Sequence, residues 1–136
     1  MHTKWIVIAL LSVVLIGCGQ LLPASDPLAG TSWVLTDLDD KDLLPDYPIV
    51  LRFEGYRLSG NSGCNNYEGE YDAHDERIKV IALSQNALAC GEEAAMDQER
   101  EYLDNLAVVF SFELEDRQLT LITRENRKLR FVPAEN

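Results

Sequence analysis

From Leu28 to the C-terminus, apolar and polar positions alternate in short runs divided by turn residues, the pattern of half-buried antiparallel strands and not of strand-helix-strand units. Eight runs carry it: Ser32 to Leu38, Ile49 to Phe53, Tyr56 to Ser59, Tyr67 to Asp72, Ile78 to Leu83, Val108 to Leu114, Gln118 to Ile122 and Lys128 to Val132. Glu54-Gly55, the charged loop Ala73 to Arg77, and Glu115-Asp116-Arg117 divide three pairs of runs and predict hairpins. One segment departs from this rhythm. Glu92 to Ala107 lacks Gly and Pro, follows Gly91 and is rich in helix formers, so it predicts a single helix. Its apolar positions Ala95, Tyr102 and Leu106, with Met96 and Leu103 alongside, form one stripe able to cover a sheet, and Glu92 and Glu93 suit the positive first turn. The predicted fold is mainly β: an antiparallel, strongly curled sheet or barrel of about eight strands with one packed helix. Trp33, Phe53, Tyr71, Phe110, Phe112 and Phe131 are expected to fill its interior.

The first residues follow other rules. Met1 to Lys4 is a short basic start, and Trp5 to Ile16 is apolar apart from Ser12, which is a signal-peptide profile. Twelve such residues fall short of the ~20 that a membrane-spanning helix needs. Leu15-Ile16-Gly17-Cys18 resembles the lipobox of bacterial lipoproteins, with Leu three before the cysteine and a small residue just before it. The resemblance implies cleavage before Cys18, diacylglycerol on its thiol and acylation of the new amino terminus. Several acyl chains, at ~0.8 kcal/mol per buried CH₂, hold a protein on a bilayer far more firmly than one. Gly19 in place of Asp resembles the outer-membrane sorting class of Gram-negative lipoproteins, facing the periplasm. The alternative is an ordinary secretory signal with an incidental cysteine. The expected organisation is a signal peptide over 1–17, a lipidated tether over 18–27 and one domain over 28–134.

Cleavage would leave 119 of the 136 residues (136 − 17), enough for one core. Apolar residues at 46% and charged residues at 26% argue against disorder despite a net charge of −11. Removing 1–17 takes away Lys4 and no acid, leaving 11 bases (12 − 1) against 23 acids, formally −12. Such a surface repels phosphate backbones, so nucleic acid is excluded as a partner, while basic proteins remain compatible with it. Solubility is the plainer account of the same excess.

Of three cysteines, removing Cys18 leaves Cys64 and Cys90, an even pair in an exported chain, and a disulfide is the default expectation. Closing that loop would stabilise the fold by ~3–4 kcal/mol on the chain-entropy model. A redox or metal pair is the alternative, but 25 intervening residues are no CxxC and His74 is the one histidine after Cys18. Ser59 to Gly69 (SGNSGCNNYEG) clusters glycines and asparagines, which demand positive φ or close backbone approach. It reads as a tight turn and a bulge that place Cys64 against Cys90, or as a ligand-cradling loop. Asn61-Ser62-Gly63 with His74 makes a poor serine-protease relay. Asp37, Asp39, Asp40 and Asp42 cluster without EF-hand spacing and read as a solvated loop, with weak divalent-cation binding as the alternative. No catalytic residue, cofactor or metal site is therefore assigned.

The order Gly30-Thr31-Ser32-Trp33-Val34-Leu35, Arg57-Leu58-Ser59-Gly60, Gly63-Cys64-Asn65-Asn66-Tyr67-Glu68-Gly69-Glu70-Tyr71 and Ala89-Cys90 resembles the META domain family, which includes HslJ-like bacterial heat-shock lipoproteins. Glu99-x-x-Tyr102-Leu103-x-x-Leu106, Leu119-Thr120-Leu121 and Leu129-x-Phe131 extend the likeness over nearly the whole chain after the tether. The resemblance implies a mostly antiparallel β fold, lipocalin-like in shape, and a setting in envelope stress and antibiotic tolerance without an established enzymatic activity. Gly63, Asn65, Asn66, Tyr67, Gly69 and Asn86 are the motif positions that can form a surface site. Asn86 stands where the family commonly has threonine, and Leu88 where it has methionine, which puts that part of the site in doubt. The expectation is a non-catalytic, monomeric envelope lipoprotein acting on an envelope protein partner or a small molecule. The alternatives are an inhibitor of a basic hydrolase such as lysozyme, and a carrier of a small hydrophobic ligand should the barrel be hollow.

Overall fold

A computed structural model describes residues 26–88 and 90–135. Its elements run β1 (Ser32–Leu38), β2 (Ile49–Glu54), β3 (Arg57–Ser62), β4 (Asn66–His74), β5 (Arg77–Gln85), α1 (Glu93–Leu106), β6 (Val109–Glu115), β7 (Gln118–Thr123) and β8 (Lys128–Pro133). Each strand pairs antiparallel with its sequence neighbours, and β1 pairs with β8 to close an eight-stranded barrel. The signal peptide and Cys18 lie outside the described residues.

Three hairpins meet at one end of the barrel, and the turns of the β4–β5 and β6–β7 hairpins are tighter than the sequence suggests. The loop expected over Ala73 to Arg77 is instead a two-residue turn: Asp75 and Glu76 take φ of 48° and 61°, and His74 pairs directly with Arg77. Asp116 and Arg117 do the same between β6 and β7, with φ of 44° and 65°. Positive φ at both central positions matches the right-handed twist of the flanking strands, which lets pairing continue to the turn. β3 also runs past the expected end at Ser59 to Ser62. Gly60 is what permits this, since a Cβ there would lie 1.8 Å from the Val50 carbonyl oxygen of the neighbouring strand. A Gly-rich composition that reads as a turn is thus a strand in close approach.

The interior is packed. Trp33, Leu51, Phe53, Leu58, Phe112, Leu119, Leu121, Leu129 and Phe131 are all buried, each worth ~1.5–3 kcal/mol of burial. Leu28 plugs the hairpin end, where Thr31 Oγ1 takes the Trp33 indole N–H at 2.7 Å and Tyr71 donates to Asp26. Tyr102 and Leu106 of α1 cover the opposite end. One expected interior residue is elsewhere. Phe110 is half-buried on the outside, with the Arg77 and Arg124 guanidiniums at 4.3 and 4.4 Å from its ring centroid. A register shift between Val109 and Ser111 lets both Val109 and Phe112 point inward, so Phe110 must point out.

The closure is uneven. β5 and β6 share the single register pair Arg77 and Ser111, supported by the Phe112 N–H donating to the Glu76 carbonyl at 2.9 Å. Beyond it, residues 78–85 make their ladder with β4 alone among the described residues.

Candidate functional site

The motif residues gather at the helix end. Gly63, at φ 101°, lets the chain reverse between β3 and β4, and its N–H bonds Asn61 Oδ1 at 2.9 Å. Ser62 N–H donates to the Asn65 carbonyl at 2.8 Å. Cys64 and Cys90 form a disulfide with Cα atoms 5.5 Å apart, joining this turn to the segment before α1.

Behind the turn lies a polar cluster sealed from water. Ser62, Asn65 and Glu99 are all buried, and Glu99 of α1 is its centre. Its Oε2 accepts from Asn65 N at 2.9 Å and lies 2.5 Å from Ser62 Oγ, while Oε1 accepts from Asn65 Nδ2 at 2.7 Å. Asn65 also donates from Nδ2 to the Leu88 carbonyl at 3.0 Å and accepts the Leu88 N–H at 2.7 Å. No buried side-chain polar atom lacks a partner among the described residues. Glu99 carried no assigned role in the sequence reading, yet a signal existed: Ala95, Glu99, Tyr102 and Leu106 recur at i, i+4, i+7 and i+11, the spacing of one helix face.

A second polar contact ties α1 to the barrel. The Tyr67 hydroxyl donates to the Val50 carbonyl at 2.9 Å and meets the Tyr102 hydroxyl at 2.6 Å. Burial pushes both phenols well above their ordinary value of 10 and holds them neutral. Asn86 extends the sheet by mimicry: its Oδ1 accepts the Asn66 N–H at 2.9 Å and its own N–H reaches the Asn66 carbonyl at 3.2 Å. The asparagine in the family's threonine position therefore supplies a local hydrogen bond. Gly69 faces a bulge in β5 where Ala82 takes φ 52°; a Cβ would lie 3.2 Å from the Ile81 carbonyl.

On the outside, Asn66, Tyr67 and Asn86 line an open groove of about 550 Å³ with Arg52, Glu68 and Ser84. Amides, hydroxyls and one charge of each sign can recognise a polar ligand or a peptide. The other candidates are spread apart. Asp37 and Asp40 both engage Arg130 Nη1, the latter at 2.9 Å, and Asp39 lies 3.9 Å from Arg127, so three of the four clustered acids, all but Asp42, face guanidiniums. His74 ends β4 at the hairpin end beside Asp72 at 3.6 Å, whereas Ser62 ends β3 at the helix end, so the two share no site.

A closed barrel whose one helix is fastened through buried Glu99 and a disulfide-bound turn defines a small β-barrel scaffold with its distinctive residues used for architecture. A family model for the META domain matches residues 26–136, and the chain belongs to that family. No curated protein matches the chain. Among solved structures it is similar to a protein from Burkholderia xenovorans determined by NMR, at 26% identity and a TM-score of 0.67, covering 80% of this chain and 85% of that one. A second NMR structure matches at 20% identity and TM-score 0.64, covering 77% and 90%. A DUF4847 family protein from Bacteroides vulgatus shares the fold at 11% identity and TM-score 0.63, covering 81% and 96%. Neither the family nor these neighbours indicate catalysis.

Proposed function

We propose that this META domain chain is a non-catalytic, lipid-anchored cell-envelope protein that supports the envelope under stress or antibiotic challenge by contact with a protein or a small molecule. The observation that carries the reading is the closed hydrogen-bond set of Ser62, Asn65 and Glu99. The buried polar groups of the motif are spent on one another, and what the motif offers to solvent is the groove at Asn66 and Asn86. The packed interior favours contact at the surface over carriage of a hydrophobic ligand inside.

The anchor gives this surface an orientation. Chain entry at Asp26 is at the hairpin end, opposite α1, and the eight residues after Cys18 span at most ~30 Å. A diacylglyceryl Cys18 would set the hairpin end toward an outer membrane and present the disulfide end to the periplasm. The test has two parts. Cys18→Ala should abolish incorporation of radiolabelled palmitate and leave the apolar segment before residue 18 uncleaved, and a photo-crosslinker at Asn86 should capture a defined envelope partner or ligand in intact cells. Palmitate incorporation equal to wild type in the Cys18→Ala chain, or turnover of a substrate by the purified protein, would refute the reading.

A second reading, inhibition of a basic hydrolase such as lysozyme, is favoured by the net charge of −11. A lysozyme pull-down that is strong at low salt and collapses as salt is raised would support it, because steering of this kind is screened.

A further inference from the structure

The seam between β5 and β6 carries a feature that runs against the character of the rest of the chain. In a protein with 23 acids and 12 bases, Arg77 and Arg124 both sit on the Phe110 ring, and neither makes a salt bridge among the described residues. Elsewhere Arg57, Arg100, Arg127 and Arg130 pair with carboxylates and Arg52 and Arg117 do not, but among the described residues no other aromatic ring carries two guanidiniums. Two like charges brought to one ring repel each other, and the ring's negative face offsets only part of that repulsion. Lys79 and His74 add to the same wall; the one acid there, Asp72, lies against His74 at 3.6 Å. Beside these cations the barrel opens into a groove of about 470 Å³. Its other wall is aliphatic, with Ile78, Val80 and Val108, and Val108 is 55% exposed. The groove exists because β5 and β6 stop pairing after Arg77 and Ser111.

We propose that this groove is a binding site for an amphipathic organic anion, with a phosphate or carboxylate held between the Arg77 and Arg124 guanidiniums and an apolar tail lying on Val80 and Val108. Planar guanidiniums present forked donors that match both kinds of oxyanion, and the stacked ring keeps the forks in place without consuming their N–H groups. The site is distinct from the groove at Asn66 and Asn86 and does not depend on the reading of that groove. The same headgroup chemistry is found in a free amphiphile and in a membrane lipid.

The full-length chain, held in vesicles of neutral phosphatidylcholine, is dialysed against radiolabelled hexyl phosphate, with empty vesicles as the blank. The wild-type chain should retain the probe, and the R77Q/R124Q pair should bind it at least about tenfold more weakly with an unchanged thermal midpoint. Inorganic phosphate, lacking a tail, should bind about tenfold or more weakly than hexyl phosphate. Hexyltrimethylammonium should not bind. Replacing part of the phosphatidylcholine with phosphatidylglycerol separates the sources: displacement of hexyl phosphate assigns the site to a lipid headgroup, and its retention to a free amphiphile. Equal retention by wild type and R77Q/R124Q, equal binding of inorganic phosphate, or binding of the ammonium probe would overturn the proposal.

Discussion

The helix end and the β5–β6 seam lie on the same small barrel and obey opposite rules. At the helix end Ser62, Asn65 and Glu99 are shut away from water, and each polar atom has a partner. At the seam Arg77 and Arg124 reach solvent without a carboxylate, Val108 is exposed, and β5 beyond Arg77 is paired on its β4 side alone among the described residues. The difference follows from the cost of an unmet hydrogen bond, ~1–3 kcal/mol when buried and close to nothing where water substitutes. Burial forces complementarity and so makes structure. Exposure tolerates unpaired groups, and that tolerance is where a ligand can be recognised.

The comparison is broken most severely by Glu99→Ala, which leaves the Asn65 backbone N–H and one Nδ2 hydrogen without an acceptor in the core, while Ser62 keeps its bond to the Asn65 carbonyl. Its expected loss is ~3–5 kcal/mol, read as a lower urea midpoint. Opening the Cys64–Cys90 bridge with a reductant should cost ~3–4 kcal/mol by the same measurement. A loss under ~1 kcal/mol in both cases would mean that the helix end is not the anchor of the fold.

High pH separates the two regions next. Tyr67 and Tyr102 are held neutral by burial, so their folded values lie above the unfolded value of ~10. Below ~10 both states carry the proton and stability does not depend on these groups. As pH rises past ~10 the unfolded chain loses its protons first, and stability falls until the folded phenols ionise. The contribution of these two groups to the urea midpoint should therefore be flat through neutrality and decline above pH ~10, with their own phenolate absorbance appearing late. Tyr102→Phe should cost only ~1 kcal/mol, because Tyr67 keeps its bond to the Val50 carbonyl. Least of all, R77Q/R124Q should change stability by no more than ~0.5 kcal/mol, as expected of exposed side chains.

Much of the barrel was legible along the chain because strand alternation is a local property. All eight strands and the helix fall within a few residues of where hydrophobic spacing predicts them, and Leu28 to Val132 lies inside the residues matched by the family model. The turns were less legible. Asp75-Glu76 and Asp116-Arg117 adopt positive φ without glycine, which composition does not announce, and Gly60 looks like a turn residue until Val50 is seen pressing on it. Phe110 shows the commonest failure: a register shift one residue away reverses the face on which a side chain emerges.

The amino-acid sequence alone determined the strand count, the helix and the acidic excess, and made a Cys64–Cys90 bridge the default expectation that the fold then closes. Strands, helix and charge depend on residue type and on local spacing. Tertiary structure decided that Glu99 is a buried hub and not a solvated helix charge, that Asn86 completes a sheet, and that Arg77, Phe110 and Arg124 stand together. Those facts depend on barrel closure, which brings residues from strands and a helix far apart in the chain to one place and sets which of them water can reach.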